Sequence, residues 1–154
     1  MNRLARALLS AACILALSKA EQVPTAGKAD RFRVVDVFID TQAQPLAAYQ
    51  VELTAPAGTV RIVGIEGGDP EVFRDPPHYD PLAMQSERVI LAAFSTAPEA
   101  RLPAGRSRVA SVHFQVVGDA EPSFAVRLHV AASAAGTRIP AQATITPATE
   151  RTAK

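Results

Sequence analysis

The chain reads as an all-β, two-layer antiparallel β-sandwich of about 7–9 strands. Three observations lead there. Short runs with apolar residues at every second position recur from Phe32 to Ile145. Gly- or Pro-containing turns separate them, and no stretch has the 3.6-residue period of a useful amphipathic helix. The clearest run is Arg108–Val116: Val112, Phe114 and Val116 point one way, Ser111, His113 and Gln115 the other. Successive side chains of a strand alternate faces, so this pattern buries one face and wets the other.

The remaining elements follow in order. Arg31 to Asp40 is the first strand, with Val35, Val37 and Ile39 on one face and Phe32 and Val34 on the other. A bulge at Val34–Val35, or burial on both faces, would reconcile its two halves. Tyr49, Val51 and Leu53 alternate with polar partners and are closed off by Pro56 and Gly58. Val60 to Ile65 is a third strand, with an out-of-phase pair at Ile62–Val63, stopped by Gly67–Gly68. Residues 67–86 are irregular and proline-rich, which rules out a central strand. Within them Asp80–Pro81 starts a short helical turn, with Asp80 as its N-cap. Val89 to Phe94 is a continuous apolar run, as expected of a strand buried on both sides. After the strand at 108–117, Phe124, Val126, Leu128 and Val130 alternate, and then Ile139, Ala141, Ala143 and Ile145. Pro140 marks the last of these as an edge strand.

The organisation is a leader, a lead-in, one domain and a tail. Residues 1–20 have the parts of a secretory signal peptide: Arg3 and Arg6, an apolar stretch from Ala7 to Leu17, and Ser18-Lys19-Ala20 for cleavage after Ala20. The apolar stretch is short of the ~20 residues that span a bilayer, although an uncleaved anchor is the alternative. Residues 21–30 form a flexible lead-in, 31–146 the domain and 147–154 a disordered tail. The expected localisation is secreted, periplasmic or cell-surface. Without Arg3, Arg6 and Lys19 the chain keeps 13 basic against 15 acidic residues, a formal charge of −2, which argues against a nucleic-acid partner. Cys13 is the single cysteine and lies in the leader, so disulfides and thiolate metal sites are not expected in the domain.

Four segments resemble cohesin-like domains, members of a β-sandwich superfamily of jelly-roll topology that also holds carbohydrate-binding modules. They are Ala48–Pro56, Val60–Gly68, Arg88–Ser95 and Pro103–Val116, matching an early strand with its turn, the next strand with its glycine stop, a middle strand, and a glycine turn with its following strand. Thr54-Ala55-Pro56 replaces the family's Tyr-Asp-Pro, and the proline-rich 69–81 stretch is not typical of it. The resemblance implies an extracytoplasmic recognition or assembly module without its own chemistry. It carries over no binding residue and no dockerin partner.

The 67–86 loop holds the candidate residues. Phe73, Arg74, His78 and Tyr79, stiffened by Pro70, Pro76, Pro77 and Pro81, are the types that anchor interfaces. They are the first choice for contact with a protein partner or a cell-envelope glycan. The competing reading turns Phe73 and Tyr79 inward to cap the core, because a long loop needs internal packing to stay ordered. Asp69, Glu71, Asp75 and Asp80 offer oxygen ligands to calcium, but not at EF-hand spacing; no other cofactor is implied. A pair of these acids is also what a glycoside hydrolase would need. His113 and His129 fall on solvent faces and could share a metal only if their strands were neighbours. No nucleophile or phosphate-loop motif is present. The expected function is therefore non-catalytic binding, with carbohydrate binding as the alternative and hydrolysis as a lesser one.

Overall fold

A computed structural model describes residues 31–148. The expected signal peptide, the lead-in and the tail from residue 149 onward lie outside the described residues. Seven strands form two antiparallel sheets: β1 Arg31–Asp40, β2 Ala48–Thr54, β3 Val60–Gly67, β4 Arg88–Phe94, β5 Arg106–Val116, β6 Ala125–Ala132 and β7 Gln142–Pro147. One sheet has the order β3-β5-β1-β7, the other β4-β2-β6. The described residues hold no α-helix, only three single 3₁₀ turns, and no helix long and apolar enough to cross a membrane.

The alternation expected of each strand is what builds the core. Val35, Val37 and Ile39 of β1 meet Val51 and Leu53 of β2, Val60 and Ile62 of β3, Val89 and Leu91 of β4, and Val112 and Phe114 of β5, all buried in one cluster. Phe124 lies just before β6, and its ring packs 4.7 Å from that of Phe114, closing one end. Burying a valine, leucine or phenylalanine side chain is worth roughly 1.5–3 kcal/mol each, so this interior supplies the main favourable contribution to folding.

Three bulges explain where the alternation slips. Val63, in the out-of-phase pair Ile62–Val63, has no partner on β5. On β1 the expected bulge at Val34–Val35 is absent. The register shifts between Val37 and Phe38 instead, because β5 carries the extra residue, Val109. Around that point Val35, Asp36 and Val37 are all buried, so β1 is covered on both faces at its centre. In β6 the unpaired residue is His129.

Two expectations need correction. β4 is not buried on both sides: it is the edge of its sheet, and Phe94 is 68% exposed. Its apolar run hides an alternation in which Val89 and Leu91 face the core while Arg88, Ile90, Ala92 and Phe94 face out. The last strand also starts and ends later than its pattern suggests. Ile139 only bridges to Ala131, Pro140 precedes the strand, and Pro147, assigned to the tail, pairs with Val35. The Ala148 amide continues the ladder by donating to the Val34 carbonyl at 2.9 Å. Both ends of the described chain therefore emerge at one end of the sandwich, opposite the Asp40 end.

Candidate binding surface

The 67–86 segment is held to the sandwich by close backbone contact and by one arginine. A Cβ on Gly67 would sit 2.0 Å from the Arg74 carbonyl oxygen, and one on Gly68 would sit 2.3 Å from that of Arg108. Only glycine lets the segment fold back on itself at Gly67 and lie this tightly on β5 at Gly68. The Gly68 amide donates to the Phe73 carbonyl at 2.6 Å and the Asp69 amide to the Arg108 carbonyl at 3.0 Å. Arg108, with its side chain 10% exposed, donates to the Gly67 carbonyl at 2.9 Å, to Ser111 Oγ at 2.8 Å and through Nε to Asp69 Oδ1 at 3.1 Å. Ser111, fully buried, in turn donates to buried Asp36. One charged chain thus runs from the middle of β1 out to the loop.

The sequence-selected residues split between inside and outside. Phe73 is 2% exposed and belongs to the core cluster. Its ring meets Tyr49 edge-on at 5.3 Å and 80°. Tyr49 is itself buried, its hydroxyl donating to the Val109 carbonyl at 3.1 Å, and burial pushes its phenol well above the usual range. Tyr79 is half-buried against the same core. As a contact residue Phe73 is therefore corrected: its ring is spent on packing. Arg74 and His78 are exposed. From Pro77 to Asp80 the chain alternates like a strand, with Pro77 buried, Tyr79 half-buried, and His78 and Asp80 outward. His78 makes a single antiparallel bridge to Ala92, with reciprocal bonds of 2.8 and 2.9 Å. This bridge extends the β4 edge and lays the His78 ring over Phe94, 6.5 Å apart and 15° from parallel.

Further along the same edge, Asp80 caps the turn Pro81–Ala83 by accepting from the Leu82 amide at 2.9 Å. Leu82 stands 86% exposed. It borders a shallow cleft of about 360 Å³ lined also by Asp80, Ala83, Ser86, Arg88, Val89 and Ile90. Beside it, Glu52 on β2 accepts from Arg88 on β4 and lies 2.9 Å from His129 Nε2 on β6. The hydrogen bonds to His129 and then to Arg88 hold the Glu52 carboxyl below its ordinary value.

Sequence reasoning missed Phe94 and Leu82. For Phe94 the signal was present in the phase it shares with Arg88. For Leu82 it was not, since a lone leucine after a proline reads equally well as core.

The other candidates are dispersed. Asp69 pairs with Arg108, Glu71 with Arg101 at 3.1 Å, and Asp80 caps its turn, while Asp75 is exposed. Among the described residues no three His, Cys, Asp or Glu gather as a metal cluster. His113 and His129 sit on different sheets, each beside its own glutamate: Glu66 at 3.0 Å and Glu52 at 2.9 Å. No protein-family model, curated protein or solved structure matches the chain.

Proposed function

We propose that this domain is a non-catalytic, extracytoplasmic binding module that takes a protein partner along the β4 edge. The stacked, exposed pair His78–Phe94 carries the reading. A phenylalanine at 68% exposure has given up burial that the core could have supplied, and its orientation is held by a backbone bridge rather than left loose. The edge from Phe94 to Leu82 then offers aromatic and aliphatic groups beside polar ones, a composition suited to an interface. Because Gly68, Arg108 and Phe73 fix the loop beforehand, little ordering would be lost on association. Export is supported by the leader pattern in residues 1–20. The resemblance to cohesin-like domains supports a role in attachment. The absence of tryptophan favours a protein over a polysaccharide, which is gripped through broad planar rings.

Site-specific photo-crosslinking tests this. With p-benzoylphenylalanine at position 94 in the producing cells, a discrete protein adduct is expected, absent when the probe sits at Gln115 on the opposite sheet. Equal adducts from both positions, or retention on insoluble cellulose, chitin or peptidoglycan without any protein adduct, would overturn it.

A further inference from the structure

The sandwich has four sheet edges, and three of them are obstructed. The β3 edge is capped where the Ile62 amide donates to the Ser86 carbonyl and the Gln85 amide to the Ile62 carbonyl. The β4 edge is capped by His78, and the β6 edge by Ile139 and by the bridge between Ala132 and Arg138. Each of those strands also carries a charged residue: Arg61, Arg88 and Arg127. Obstruction and charge are the usual means of keeping an edge from pairing with another chain. Among the described residues β7 is blunted only at its last position, by Pro147: Gln142–Pro147 contains no charged residue, pairs with β1 without a bulge, and has no described strand on its other side.

The ladder shows what that edge presents. Since the Ala148 amide bonds to Val34, the pairs Asp36–Thr146, Phe38–Thr144 and Asp40–Gln142 are the hydrogen-bonded ones by alternation. The backbone groups of Ala143 and Ile145 therefore point away from β1. Thr144, on the outer face, is exposed.

We propose that β7 is a self-association edge, occupied by β7 of a second copy of this chain about a two-fold axis at Thr144. In that register each Ala143 exchanges both backbone bonds with the partner subunit's Ile145, and the reverse. Thr144 faces its own symmetry mate as a close, non-hydrogen-bonded pair. No charge opposes a like charge. Pro147, whose nitrogen points outward by the same alternation, can accept from the partner subunit's Ala141 but cannot donate to it, so one bond is missing at each end of the ladder and the central Ala143–Ile145 bonds carry the pairing. The four-stranded sheets of two copies become one continuous sheet. β7 and β6 lie on the flank away from β3 and β4, so both His78–Phe94 edges stay free in the dimer. The inference does not rest on the proposed function.

Sedimentation velocity on the full chain over a concentration series tests it. The wild type is expected to shift from monomer to dimer as concentration rises. Thr144→Lys and Thr144→Glu, which alter an exposed side chain, should each stay monomeric with an unchanged circular dichroism spectrum. Their equimolar mixture should regain the dimer, since opposite charges then meet at the axis. A wild type monomeric up to its solubility limit, charge variants that dimerise as it does, or a mixture that stays monomeric would each overturn the proposal.

Discussion

At the scale of single residues, two phenylalanines in neighbouring segments have opposite fates. Phe73 is held by Tyr49 in the core, whereas Phe94 stacks on His78 in solvent. Glu52 shows how the same kind of local geometry sets a charge. Bonded to His129 and Arg88, its carboxyl titrates below the ordinary 4.5. The stabilisation it brings is present above that value and is lost as pH falls through the lowered one. Glu52→Gln should therefore be less stable than the wild type at about pH 5, with the margin closing as pH falls through the lowered value and the wild-type carboxyl protonates. Urea unfolding at stepped pH from about 5 downward measures it; a margin that persists unchanged to about pH 2 would contradict the assigned role.

At the scale of elements, the 67–86 segment is a built part of the sandwich rather than a free loop. Its first half is fastened by Gly67, Gly68 and Arg108, its second by the His78 bridge and the Asp80 cap. Arg108→Met removes the donor shared by Gly67, Ser111 and Asp69 and leaves buried Asp36 and Ser111 without their link to it. The expected cost is about 1–3 kcal/mol, with faster amide hydrogen exchange at Gly68 and Phe73 than across β2. Unchanged exchange there would show that the glycine contacts alone hold the loop. Much of this element's environment was legible in sequence. Alternation located the strands, Asp80–Pro81 located a cap, and the phase slip at Ile62–Val63 coincides with a bulge. What escaped depends on contacts distant in the chain. The bulge beside β1 belongs to Val109 on β5, so β1 alone could not show it. β4 resembled a central strand because Ala92 and Ala93 are small enough for either environment; only the sheet order makes it an edge. The outward pair His78–Phe94 joins residues 16 apart through a single bridge, for which no periodic signal exists.

At the scale of the whole molecule, the parts have a consistent layout. The described chain enters and leaves at the end of the sandwich where Val34 meets Ala148. The His78–Phe94 pair stands near the other, because Phe94 pairs with Ala48 just beyond the turn that follows Asp40. A strand of β1's length separates these ends by about 30 Å. A tethered domain would thus present its aromatic edge away from the tether, while β7 lies on the opposite flank. The central claim is a division of labour: Phe73 secures the loop from within so that Phe94 can be offered outside. Side-by-side denaturation of Phe73→Ala and Phe94→Ala, each also scored for capture of the protein crosslinked at position 94, tests it most directly. Phe73→Ala should lose about 3–5 kcal/mol. Phe94→Ala should stay within about 0.5 kcal/mol of the wild type and lose capture. Loss of stability in Phe94→Ala with none in Phe73→Ala would contradict the account.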